Sequence, residues 1–307
     1  MQRNAVRAGV FDQRSRATTK RRDRREQEVA PSDTLGDLRE WLQERYGGLR
    51  IDDLERMDLK AFVRDAGCFD VEPTECLRQL AIAVENEGIA YGARGWRALK
   101  RIYDLARRIS SENVAVLHSS AVSAREVADI CDGEDADAIW TDALDAIHQA
   151  LALAPDDGDA HAELGMILYF RSQTQEALDA FNAALQRDPH LGWAQLYRAH
   201  CLHDQGAWKA AMEAYDSVDL AQFGGPSSWR VDVLREQRAQ CRLMSGDRAG
   251  ALHDFGRILD RYEREPHLAF HAMSASLWAA AEGELKAELH ERVVAIDRLG
   301  LESQGLG

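Results

Sequence analysis

The stretch "ELGMILYFRSQTQEALDAFNAALQRDP", residues Glu163 to Pro189, places small, aromatic and apolar residues on both sides of one short polar break. On each side these residues recur every three or four positions, which is the period of an amphipathic helix. The stretch therefore predicts two helices joined by a short turn. Whether it holds a chemical site or only packing residues depends on whether the pattern recurs elsewhere.

The pattern recurs at a fixed interval of 34 residues. Residues of similar size stand 34 positions apart in the pairs Gly165/Ala199, Ala177/Ala211 and Phe181/Tyr215. Counting 34 residues backward from Ala177, Phe181 and Pro189 gives Ala143, Ile147 and Pro155. A third copy fits at a spacing of 40, because six extra residues can lie in the Gly- and Ser-rich loop "AQFGGPSSW". A fixed period of this length is typical of stacked helical hairpins.

The repeated segment resembles the tetratricopeptide repeat, a unit of two helices. The residues that match the family pattern are Leu164, Gly165, Leu168, Tyr169, Ala177, Phe181, Ala184, Asp188 and Pro189. Counted over neighbouring units, the resemblance covers residues 124 to 265. It implies an all-α fold: a right-handed α-solenoid of helical hairpins of this type, preceded by a helical N-terminal module. The small residues would then lie where helices cross closely, as scaffold rather than site.

The remaining segments also have helical patterns. "TLGDLREWLQERYGG" predicts one helix, "IDDLERMDLKAFVRDAG" predicts one or two, and "CDGED" is expected to interrupt the first helix of the unit that ends at Pro155. We predict a disordered basic arm (1–31), an N-terminal helical module (32–110), repeats (111–265), and capping helices with a tail (266–307). The capping pair is expected at Pro266 to Ala281 and Glu284 to Leu299.

Charge is distributed unevenly along the chain. The formal net charge is −14, yet residues 1–30 hold nine basic and four acidic side chains, a net of +5 that leaves −19 for the rest. The basic cluster consists of Lys20, Arg21, Arg22, Arg24 and Arg25. It could contact nucleic acid, an anionic membrane or the protein's own acidic surface, and a solubilising tail is an equally good interpretation.

Composition and motifs narrow the classes of function. No apolar run approaches the roughly 20 residues that a transmembrane helix needs, so we expect a soluble, cytoplasmic protein. The five cysteines are scattered and predict neither a disulfide framework nor a zinc site. The pairs His200/His203 and His267/His271 lack a third ligand, and phosphate-loop, nucleophile-elbow and kinase motifs are missing. We expect no metal, no cofactor and no enzymatic activity.

The resemblance also implies a binding surface, because the first helix of each repeat lines an inner groove in the family. The positions carried over to this chain are Asp159, Met166, Phe170, Trp193, Leu196, Tyr197, His200, His203, Asp204, Glu236, Gln237, Gln240 and Met244, together with Ala162 and Val233. Such a wall is aromatic, apolar and mildly acidic. It suits a protein or peptide segment with apolar anchors and with Lys or Arg beside them.

One subgroup of the family grips the terminal carboxylate of chaperone peptides with basic side chains. Here the corresponding positions hold Ala162, Met166, Tyr197, Val233 and Gln237, so we do not expect a chaperone co-factor with a carboxylate clamp. The favoured hypothesis is a non-catalytic adaptor or scaffold.

Three alternatives stay open. The groove residues could pack on the protein's own C-terminal helices instead of a ligand. The basic arm and residues 32–110 could form a nucleic-acid-associated or effector-recruiting regulatory part. An enzyme with an unfamiliar helical active site is the third hypothesis.

Overall fold

A computed structural model describes residues 34–47, 50–86, 93–131, 133–223 and 229–303. All regular structure in these residues is helical, and they contain no strand, so the all-α prediction is confirmed. The chain divides between Pro155 and Asp156 into two compact units. This division does not coincide with the boundary predicted at residue 110, and the predicted basic arm lies outside the described residues.

The first unit consists of seven α-helices in the described residues. They are α1 (Thr34–Tyr46), α2 (Ile51–Arg56), α3 (Leu59–Ala66), α4 (Pro73–Asn86), α5 (Ala93–Ile109), α6 (Val114–Ile130) and α7 (Gly133–Leu153). The segment predicted as one helix or two forms two, because Asp58 caps α3. Its side chain accepts hydrogen bonds from the backbone N–H groups of Lys60 at 3.0 Å and Ala61 at 3.1 Å.

The helical pattern breaks at the "CDGED" segment as predicted, because α6 ends at Ile130 and α7 begins at Gly133. The two helices on either side are longer than those of a 34-residue repeat. Gly133 adopts a φ of +69°, a backbone conformation that suits glycine at a tight turn. The segment therefore joins two long helices, α6 of 17 and α7 of 21 residues, into one hairpin.

The second unit holds the repeated hairpins and then the C-terminal helices. Its helices are α8 (Gly158–Phe170), α9 (Thr174–Arg187), α10 (Gly192–Asp204), α11 (Trp208–Asp216), α12 (Trp229–Met244), α13 (Arg248–Arg264), α14 (Pro266–Ala272), α15 (Ala275–Glu282) and α16 (Lys286–Ser303). The single helix predicted from Pro266 to Ala281 is in fact two. The break falls at Met273 and Ser274, and the Ser274 side chain caps α15 by accepting from the Ser276 N–H at 3.2 Å.

Close helix crossing explains the small residues of the repeat. A Cβ atom added to Gly165 of α8 would lie 2.6 Å from the ring of Phe181 on α9, closer than van der Waals contact permits. Ala177, Ala184 and Phe181 are fully buried in the same cluster. These residues hold the two helices of the hairpin together and are not available to a ligand.

Candidate functional site

The first helices of the three hairpins, α8, α10 and α12, form one surface of the second unit, because α10 contacts both α8 and α12. We call this surface the first-helix face. The residues predicted to line a groove belong to these three helices, but not all of them reach the surface. Spacings of three and four residues place each helix's contribution on one side of that helix.

An aromatic cluster centred on Tyr197 dominates the face where α8 and α10 meet. The Tyr197 ring centroid lies 5.9 Å from that of Phe170, 6.3 Å from that of Trp193 and 6.0 Å from that of Phe181. Phe181 belongs to the buried core, whereas Phe170 and Trp193 are partly exposed, as is Met166. Rings at these distances support one another and present an ordered apolar surface.

Arg230, in the first turn of α12, supplies a cation beside this cluster. Its guanidinium carbon lies 4.7 Å from the ring centroid of Trp193 and 4.4 Å from that of Trp229, so two indole faces hold the charge. Its Nη1 donates to the Tyr197 hydroxyl at 3.4 Å. The position-by-position comparison missed this residue because Arg230 lies one helical turn before Val233, the first groove position on α12.

Polar side chains connect α10 to its neighbours through Tyr215 of α11. The Tyr215 hydroxyl lies 2.8 Å from His200 Nδ1 and donates to Gln237 Oε1 at 3.0 Å. Burial lowers the pKa of His200 to about 3, so its imidazole is neutral at physiological pH. His200 and Gln237 therefore tie three helices together with a neutral hydrogen-bonded chain.

The C-terminal helices cover part of α12. The Glu236 side chain of α12 accepts a hydrogen bond from the Tyr262 hydroxyl at 2.6 Å and one from the Ser274 N–H at 2.6 Å. His203 Nε2 lies 2.9 Å from Gln240 Oε1 and 3.4 Å from Ser276 Oγ of α15. The alternative in which predicted groove residues pack on the chain's own C-terminal helices thus holds for Glu236, whereas Met244 at the end of α12 stays exposed.

Five of the predicted groove residues are buried. Ala162, Tyr197 and His200 are 6%, 4% and 8% exposed, and two others lie deeper. Leu196 is 1% exposed and packs among the core residues of the α10–α11 hairpin, and Glu236 is 0% exposed beneath the C-terminal helices. Neither can touch a ligand in this conformation. Asp159, Asp204 and Met244 are exposed, and Asp204 accepts a hydrogen bond from the Tyr169 hydroxyl at 3.0 Å.

The described residues contain no group of three or more His, Cys, Asp or Glu side chains placed to hold a metal ion. None of their helices combines the length and the apolar content that a bilayer-spanning helix requires. The five cysteines are free thiols, and burial raises the pKa of Cys76, Cys201 and Cys241. These three thiols are therefore protonated at neutral pH.

A family model for the tetratricopeptide repeat matches residues 171–230, which span α9, α10, α11 and the start of α12. The chain contains tetratricopeptide repeats. The family resemblance read from the residues is thereby confirmed. No curated protein matches the sequence.

Several solved structures share the tetratricopeptide-repeat fold at low sequence identity. PilF of Pseudomonas aeruginosa is 19% identical, with 75% of this chain and 94% of that chain covered and a TM-score of 0.51. PilW, described as a widely conserved type IV pilus biogenesis factor, is 18% identical over 74% and 99%, with a TM-score of 0.50. A tetratricopeptide repeat protein from Parabacteroides merdae is 17% identical over 86% and 99%, also at 0.50.

Proposed function

We propose that this protein is a non-catalytic binding module that holds a protein or peptide segment on the first-helix face of its tetratricopeptide repeats. The observation that carries the proposal is the aromatic cluster around Tyr197. Met166, Phe170 and Trp193 keep part of their apolar surface in solvent, although the neighbouring rings of Tyr197 and Phe181 are buried. Partly exposed, rigid aromatic side chains are typical anchors of protein interfaces.

The charges around the cluster define the ligand further. Asp159 at the start of α8 and Asp204 at the end of α10 are exposed and suit basic residues of a partner. Arg230, held between two indole rings, provides a cation that a partner carboxylate can approach. A segment with apolar anchors and with charged residues on both sides of them fits this surface.

Selection of binding peptides from a random display library, followed by isothermal titration, tests the proposal. We expect Trp193→Ala and Phe170→Ala each to weaken binding of the selected peptides about tenfold or more, as loss of a central aromatic anchor does. Tyr197→Ala is a poorer test, because Tyr197 also stacks on the core residue Phe181.

Trp140→Ala is the matched control, because Trp140 lies on α7 in the first unit and is also partly exposed. Melting curves of all variants establish that each one is folded. Selected peptides that bind the Trp193 and Phe170 variants as tightly as the wild-type protein would contradict the assigned face.

The alternative function rests on Lys20 to Arg25, which lie outside the described residues, and no observation of the described residues favours it. The cytoplasmic location also remains a prediction.

A further inference from the structure

Five arginines line a cleft between α12 and α13 that is separate from the first-helix face. The cleft has a volume of about 570 Å³, and its lining residues are Asp232, Arg235, Arg238, Asp254, Arg257, Ile258, Asp260, Arg261 and Arg264. At 100° per residue, Asp232, Arg235 and Arg238 lie on roughly the opposite side of α12 from Gln237 and Gln240. A ligand in the cleft would therefore not compete with one on the first-helix face.

The aspartates of the cleft already have arginine partners. Asp232 Oδ1 accepts from Arg235 at 3.2 Å and from Arg261 at 2.5 Å. Asp254 Oδ2 accepts from Arg238 at 3.4 Å. Asp254 Oδ2 also forms an ion pair at 2.8 Å with Arg242, which does not line the cleft. Asp260 forms an ion pair at 2.7 Å with Arg292 of α16. The three carboxylates are thus held by ion pairs that belong to the packing of α12, α13 and α16.

Two arginines of the lining have no partner among the residues that the structure describes. Arg257 and Arg264 are exposed, and neither has an ion pair or a hydrogen bond to any side chain within the described residues. Together with Arg261 they stand at positions i, i+4 and i+7 of α13, so three guanidinium groups follow one another on one side of the helix. Like charges at this spacing destabilise a helix by a few tenths of a kcal/mol per pair, a cost that a bound anion would remove.

The geometry specifies what kind of anion fits. Seven residues of α-helix separate Arg257 from Arg264, which corresponds to about 10 Å along the axis. Two exposed arginines at this backbone spacing can each hold a separate carboxylate of one acidic peptide. Ile258 is the one apolar residue of the lining and no aromatic side chain lines it, so the cleft offers no surface on which a nucleic-acid base could stack.

We propose that this cleft binds an acidic peptide segment of a partner protein, with two carboxylates about 10 Å apart engaged by Arg257 and Arg264. Guanidinium groups match carboxylates with paired hydrogen bonds, which favours this ligand over a diffuse counterion. The rest of the protein is strongly acidic, so the cleft is a local exception to a surface that repels acidic partners.

Fluorescence anisotropy with a labelled octaglutamate peptide at low salt tests the proposal on the full chain. We expect the peptide to bind the wild-type protein and the double variant Arg257→Ala/Arg264→Ala to bind it about tenfold or more weakly. Added salt should likewise weaken binding to the wild-type protein. Because these two arginines have no partners in the described residues, the double variant should not melt below the wild-type temperature.

Arg64→Ala/Arg298→Ala removes the same net charge at two exposed arginines outside the cleft and is the matched control. We expect its affinity for the peptide to stay within about twofold of wild type. If both double variants bind the peptide equally weakly, the loss of affinity depends only on net charge, and the proposal is overturned. Absence of octaglutamate binding, or binding of inorganic tripolyphosphate alone, would overturn it as well.

Discussion

At the scale of single residues, the fold depends on where side chains are absent. Gly165 allows the Phe181 ring to lie against the backbone of α8, and any larger residue would force the ring or the helix to move. Gly256, in the middle of α13, is different, because nothing lies within 4 Å of the position that its Cβ would occupy. Two helical glycines of one unit thus have opposite packing environments.

We predict that Gly165→Ala destabilises the second unit by about 1–3 kcal/mol, the usual cost of overpacking. Gly256→Ala is the matched control, and it should stabilise the protein by about 0.5–1 kcal/mol because alanine favours the helix. Urea unfolding of both variants measures the two effects. Equal and stabilising effects of both substitutions would show that the Phe181 contact does not constrain α8.

The 34-residue spacing could predict Gly165 and its neighbours because their role is local to one hairpin. It could not predict Leu196, Glu236 or Arg230 correctly. Helical periodicity places Glu236 on the ligand side of α12, and only helices far along the chain bury it. Arg230 follows the six-residue insertion, where the register of the repeat changes, so no equivalent position in the earlier repeats points to it.

At the scale of elements, one buried carboxyl group joins α12 to the C-terminal helices. Burial raises the pKa of Glu236 to about 7, while Tyr262 and Ser274 donate hydrogen bonds to it. The folded protein therefore holds this proton more tightly than the unfolded chain, whose carboxyl has its ordinary pKa. It follows that this group's contribution to stability is largest at low pH and is lost as the pH rises through about 7.

We predict that the free energy of unfolding of the wild-type protein, relative to Glu236→Gln, falls by on the order of 3 kcal/mol between pH 4.5 and pH 7.5. The variant cannot titrate at this position. Burial also raises the pKa of Glu85 in the first unit to about 7. Its contribution to the pH dependence is the same in both proteins and cancels in the comparison. Denaturant unfolding across this pH range measures the difference.

Glu282→Gln, at an exposed carboxyl of α15, serves as the control and should leave the pH profile unchanged. If the free energies of unfolding of wild type and Glu236→Gln change with pH in the same way, protonation of Glu236 is not coupled to unfolding.

An element boundary was predictable where a single residue sets it, as at Pro266, where α14 begins. The pairing of elements was not. The pattern around residues 124–155 satisfied the repeat spacing at Ala143 and Ile147, yet α6 and α7 form a hairpin longer than a repeat. Periodicity reports which side of a helix is apolar, and it carries little information about which helix covers that side.

At the scale of the whole molecule, each hairpin of the second unit buries its apolar face against the element that follows it. The last hairpin, α12 and α13, is covered by α14, α15 and α16 through apolar contacts that include Phe255, Leu259, Leu277, Leu285 and Leu289. Repeat arrays require such terminal helices, because an uncovered hairpin exposes an apolar face. The C-terminal helices therefore serve stability and also limit how much of α12 a ligand can reach.

We predict that a chain ending at Glu265 melts at least about 10 °C below the full chain, because removal of the covering helices exposes several large apolar side chains. A chain ending at Ser303 keeps all of α16 and is the control that should melt with the full chain. Differential scanning calorimetry compares the three proteins. An unchanged melting temperature in the shorter chain would mean that α14 to α16 do not support the last hairpin.

The guanidinium of Arg230, placed between two indole rings, has a consequence for how this protein can be studied. A ligand that draws the arginine towards itself would alter the surroundings of Trp193 and Trp229 together. Indole emission responds to nearby charge, so these two tryptophans form an intrinsic optical reporter at the proposed binding face. Candidate partners can thus be screened by fluorescence on the unlabelled protein, before any partner has been identified.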